Sequence, residues 1–118
     1  KHAFKKKYEI KAVTLDQLFQ QYGVPYFIKI DVEGYEKSVI KGMSQLPSFL
    51  SFETNLPEFL EETIECIRHI QSINENVVFN YSMEDKIELE TWIPGPALLE
   101  ILKDPAIRYM EIICKNRP

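Results

Sequence analysis

Glycine is scarce in this 118-residue chain: Gly23, Gly34, Gly42 and Gly95 are the only four, and no two lie close enough to form a glycine-rich loop. Neither a Gly-x-Ser-x-Gly elbow nor a Gly-x-x-x-x-Gly-Lys phosphate loop occurs. Ser38, Ser44, Ser48 and Ser51 have no paired histidine, so triad chemistry is unsupported. Histidine is limited to His2 and His69, without a second His or Cys at ligand spacing. The two cysteines, Cys66 and Cys114, stand 48 positions apart, which is neither a metal motif nor a disulfide framework. One falls in a predicted helix and the other in a predicted strand, so both are expected as buried thiols in a reducing cytoplasm. No apolar run approaches the roughly 20 residues that cross a bilayer. The start lacks the apolar core of a signal peptide.

What is present is an ordinary globular composition, with 45% hydrophobic and 27% charged residues. That length suits one domain, residues 1–118, able to bury about two-thirds of its unfolded surface. It is short for a complete two-lobed enzyme. The net charge is −4. Lys1, Lys5, Lys6 and Lys7 crowd the start, and the remainder carries 10 basic against 18 acidic residues. An acidic body argues against a nucleic-acid groove, which needs a basic face to release counterions. The basic start reads as a solvated arm or the cut end of a longer chain. A first residue that is Lys and not Met points the same way.

Hydrophobic periodicity alternates between strand and helix. Tyr8 to Val13 predicts a strand. Thr14 then opens a helix with the Thr-x-x-Gln capping box completed by Gln17, and Gly23 ends it. Pro25 to Ile30 is nearly continuous apolar, as in strands covered on both faces. A helix from Glu33 to Gln45 is expected next, with Asp31 as its N-cap. Phe49 to Phe52 predicts a second buried strand ended by Glu53. Thr54 or Asn55 caps a long helix reaching Asn74, whose stripe includes Phe59, Ile64, Ile67 and Ile70. Val77–Tyr81 and Ile87–Trp92 read as strands, Ala97–Lys103 as a short helix and Ile107–Lys115 as a last strand. Strand–helix alternation implies an α/β fold with parallel pairing and right-handed crossovers.

In open α/β sheets, ligands bind beyond the carboxyl ends of the strands. Two apolar strands here end in a carboxylate, Asp31 and Glu53, and Glu33 follows two residues after the first. Neighbouring strands lie about 5 Å apart. Asp31, Glu33 and Glu53 are therefore expected at one rim, able to take a proton from a hydroxyl or to bind a divalent cation. The plainer roles are a helix cap for Asp31 and a dipole partner for Glu33. Gly34 allows close approach at a helix start, which favours anions. Lys29 interrupts an apolar strand and is expected in a structural ion pair.

These residues carry a resemblance. Val13-Thr14-Leu15-Asp16, Gly23-Val24-Pro25, the run from Ile28 to Glu36 with Lys-Ile-Asp-Val-Glu-Gly at its centre, Gly42 and Ser51-Phe52-Glu53 occur in order. Over residues 12–53 the chain resembles the FkbM family of S-adenosylmethionine-dependent methyltransferases. The resemblance implies a Rossmann-like class I methyltransferase fold, with a mostly parallel sheet, an antiparallel edge and helices on both faces. Pro25–Ile30 would be its fourth strand and Phe49–Phe52 its fifth. It implies S-adenosylmethionine as cofactor and a hydroxyl of a natural product or glycan as acceptor. Asp31 and Glu33 would border the cofactor and acceptor site, Gly34 would approach the cofactor, and Glu53 and Asn55 would lie nearby. No metal is implied. The family's glycine-rich loop and its ribose-holding acid belong to the first half of the fold, and neither is found here. The chain is therefore expected to be the carboxyl-terminal half of the domain, inactive alone.

Two other readings stay open. One is a non-catalytic α/β module that binds a partner, or a second copy, through the open edge of Pro25–Ile30. The other is a metal-assisted hydrolase using Asp31, Glu33 and Glu53.

Overall fold

The computed structural model describes residues 13–32 and 34–117. The expected Tyr8–Val13 strand lies outside them apart from Val13. Four helices and five strands follow: α1 Leu15–Tyr22, β1 Phe27–Ile30, α2 Glu36–Lys41, β2 Phe49–Asn55, α3 Leu60–Ile73, β3 Val78–Met83, β4 Lys86–Ile87, α4 Gly95–Ile101 and β5 Tyr109–Lys115.

The capping box forms as the sequence dictates. Gln17 N–H donates to the Thr14 hydroxyl at 3.1 Å, and Thr14 N–H donates to the Gln17 side chain at 2.8 Å. Gly23 ends α1 at φ +89°, its N–H bonding to the Phe19 carbonyl. A left-handed φ costs glycine nothing.

One sheet holds all five strands, in the order β1-β2-β5-β3-β4. β1 and β2 are parallel, and the other three pairings are antiparallel. Both β2 and β3 run opposite to β5, so β1, β2 and β3 share one direction, as strand–helix alternation requires. The last strand inserts between β2 and β3 and separates them. A five-stranded mixed sheet with helices is consistent with the Rossmann-like fold that the resemblance implies.

Alternate positions of the strands feed one core. Ile30, Leu50, Phe52, Phe79, Met110, Ile112 and Cys114 meet Phe19, Ile40, Ile67, Ile70 and Leu98 from the four helices. Each large apolar side chain buried there contributes about 1.5–3 kcal/mol. The described helices thus share one face of the sheet. On the opposite face, Phe27 is 54% exposed. The expectation that Pro25–Ile30 is covered on both faces is not met among the described residues. There, β1 is the edge strand.

Several boundaries differ from the periodicity. α2 starts at Glu36, not Glu33, and ends at Lys41 because Gly42 stops it. The delay follows from a turn, in which Tyr35 N–H reaches the Val32 carbonyl at 3.3 Å and Gly34 takes φ +98°. Asp31 therefore does not cap α2, which has no side-chain cap. β2 continues past Phe52 to Asn55, since β5 pairs with it through Asn55. Glu53 thus sits inside the strand, and α3 begins at Leu60 with neither Thr54 nor Asn55 as its cap. Finally, β4 stops at Ile87, and Trp92 lies outside any strand. Asn80 holds the segment between, bonding both the N–H and the carbonyl of Leu89.

Candidate active site

The parallel strands β1 and β2 point their carboxyl ends at a cleft of about 480 Å³. Asp31 enters it directly after β1. Glu53, Thr54 and Asn55 enter from the end of β2. Gly34 and Glu36 come from the turn and first residue of α2, and Phe59, Glu62, Thr63 and Cys66 from the start of α3. The volume lies within the ordinary range of small-molecule sites.

Two of the three expected carboxylates share this cleft, Asp31 exposed and Glu53 half-buried. Glu33 lies outside the described residues. Gly34 borders the cleft as expected. Its N–H donates to the Glu36 carboxylate at 2.9 Å, and a Cβ placed on it would sit 3.3 Å from the Phe59 ring. Close approach of the α2 turn to α3 thus depends on glycine.

The floor is polar. Thr54 of β2 and Thr63 of α3, both buried, join hydroxyls at 2.6 Å. Cys66 lines the same wall, but burial pushes its thiol up to about 12. It stays protonated at neutral pH and is no nucleophile. Lys37, the one cation among the described residues lining the cleft, is tied to Glu65 at 2.8 Å. Its ammonium is held above the ordinary range by that hydrogen bond, and Glu65 is held below its own by the same contact. Asp31, Glu36, Glu53 and Glu62 leave the rim strongly acidic. Such a rim suits cationic or hydroxylated ligands and disfavours anions.

Lys29 makes the ion pair expected of it, with Glu111 of β5 at 3.4 Å. Half of its side chain is exposed, so the pair is a surface one, screened by water and salt. Glu111 stands directly opposite Glu53 in the β2–β5 ladder. Tyr109, two residues earlier, shares that sheet face. Partial burial and the Glu53 carboxylate beside it push its phenol up to about 12. Sequence reasoning missed Thr63, Glu62, Tyr109 and Glu111. Their places depend on strand register and on where α3 begins, which no local pattern reveals.

Among the described residues, no group of three or more His, Cys, Asp or Glu is placed to hold a metal ion. His69 is satisfied by the Met43 carbonyl at 2.7 Å. No described helix is long and apolar enough to cross a membrane.

The model of the methyltransferase FkbM domain matches residues 2–85 of the chain. The chain belongs to the FkbM methyltransferase family. The match spans β1, the acidic rim, the cleft and β3. Membership of a methyltransferase family implies a methyl donor. No curated protein matches the chain.

Proposed function

We propose that this chain is the carboxyl-terminal half of an S-adenosylmethionine-dependent O-methyltransferase domain, methylating a hydroxyl of a small molecule or glycan. The observation that carries the reading is the pair Asp31, directly after β1, and Glu53, in the last three residues of the adjacent parallel strand β2, lining one cleft in an FkbM-family chain.

S-adenosylmethionine supplies an electrophilic methyl group on a sulfonium when bound. The acidic rim fits the cationic end of such a donor, with Asp31 nearest the strand end and Gly34 leaving room beside it. No residue of this chain corresponds to the family's ribose-holding acid, so the nucleoside end is assigned to residues upstream. Glu53, half-buried at the cleft where Asp31 is exposed, is assigned the proton of the substrate hydroxyl. Thr54, Thr63 and Asn55 offer hydrogen bonds that orient a hydroxylated acceptor. Phe52 and Phe59 shield the reacting atoms from water. The two buried, unpaired thiols suit a reducing cytoplasm.

Calorimetric titration with S-adenosylhomocysteine tests the half-domain reading. The 118-residue chain is expected not to bind, and the chain extended by its upstream sequence is expected to bind. Micromolar binding by the short chain alone would show that the cofactor site is built here.

One observation favours a second reading. Among the described residues the outer edge of β1 has no strand partner, as in a non-catalytic module that pairs with another chain. A stable oligomer of the extended protein that binds no donor would favour it.

A further inference from the structure

Thr54 of β2 and Thr63 of α3 join hydroxyls at 2.6 Å, and the two residues are only 4% and 3% exposed. A hydroxyl carries one hydrogen and two lone pairs. Whichever of the two donates, the pair spends one hydrogen on itself and keeps the other. Among the described residues neither hydroxyl has a further partner. Thr63 does not even take the carbonyl one turn back, the usual recourse of a helical threonine. A buried donor left without a partner is costly. Both threonines line the cleft, the opening from which a partner for that hydrogen can come.

We propose that this unspent hydrogen selects the substrate, donating to a second oxygen on the carbon beside the reacting hydroxyl, so that the protein prefers vicinal diols, as in a sugar ring or a polyol, to isolated alcohols. The inference rests on the reading of Glu53 given above. Chemistry narrows the oxygen that the threonine pair can hold. The reacting hydroxyl gives its hydrogen to Glu53 and a lone pair to the methyl group, and a donor held on that same oxygen would weaken its attack. An anionic oxygen would take the hydrogen well, but Asp31, Glu36, Glu53 and Glu62 line the same cleft and disfavour anions. A second, neutral oxygen remains. Glu53 and Thr54 are consecutive, with Cα atoms about 3.8 Å apart. Their side chains leave opposite faces of the strand. One small ligand at the strand end can therefore meet both, with an oxygen on each of two neighbouring carbons.

The test compares trans-1,2-cyclohexanediol with cyclohexanol in methyl transfer by the extended protein. Counted per hydroxyl, wild type is expected to favour the diol about tenfold in kcat/KM, the scale of one hydrogen bond to a buried donor. Thr54→Val and Thr63→Val each leave one hydroxyl with its hydrogen free, so each single variant keeps a preference. Thr54→Val with Thr63→Val removes both hydrogens, and the two rates per hydroxyl should then agree within twofold. A wild type without preference, a double variant that retains it, or two single variants that both lose it overturns the proposal. If wild type transfers no methyl group, the functional reading fails, and binding alone decides the inference. The threonine methyl signals of the 118-residue chain, followed by NMR, are then expected to move further with the diol than with cyclohexanol. An equal response to both, or to neither, overturns it.

Discussion

Thr54 and Thr63 illustrate how single residues set the character of the cleft. Their hydroxyls are buried and satisfy one another at 2.6 Å. Thr54→Val removes one partner and strands the other, so we expect a loss of about 1–3 kcal/mol in denaturant unfolding. Thr54→Val with Thr63→Val replaces both groups by ones of the same shape and should recover most of that loss. A double variant less stable than either single one would contradict this account. Asp31 and Glu53 were legible in the sequence because each follows an apolar strand, and strand ends are where α/β sheets bind ligands. Tyr109 was not, since it lies 56 positions from Glu53 and becomes its neighbour only through the β2–β5 register. The exposed loss of the cap role for Asp31 was equally hidden, because a tight turn at Gly34 delays the helix.

At the scale of elements, the strands and helices appear in the expected order and the boundaries shift where pairing decides them. The α1 capping box and the Gly23 stop are local chemistry and were fully legible. The length of β2 was not, because β5, far away in sequence, extends it to Asn55. The two-residue turn at Glu84 and Asp85, both at positive φ, closes the β3–β4 hairpin. Gly34 gives a prediction at this scale. Gly34→Ala places a side chain at φ +98° and 3.3 Å from Phe59. We expect a destabilisation of roughly 1–2 kcal/mol, measured by urea unfolding, from the left-handed backbone alone. The turn must also move away from α3, which alters the cleft. An unchanged midpoint would show that the α2 turn has another conformation open to it.

At the scale of the molecule, the described helices and the core they share lie on one side of the sheet, with both thiols buried there. Burial pushes Cys66 and Cys114 up to about 12, from an ordinary value of 9.0. The folded chain therefore keeps protons that the unfolded chain releases above pH 9. This contribution to stability is complete below about pH 9 and is lost as the pH rises toward 12, with a slope on the order of 1 kcal/mol per pH unit for each thiol. Urea midpoints at pH 8, 9.5 and 11 should fall accordingly, and Cys114→Ala should show a shallower fall from a lower start. Midpoints that stay constant between pH 9 and 11 would place the thiols in contact with water.

The central claim is that Asp31 after β1 and Glu53 in β2 serve methyl transfer. Its most direct test is transfer of an isotopically labelled methyl group from S-adenosylmethionine to hydroxyl acceptors, comparing the extended wild-type protein with Glu53→Gln. We predict labelled methyl ether in wild type and a rate about 10²–10⁴-fold lower in the variant, the usual scale for a lost general base. Labelled product formed equally fast by Glu53→Gln would contradict the account.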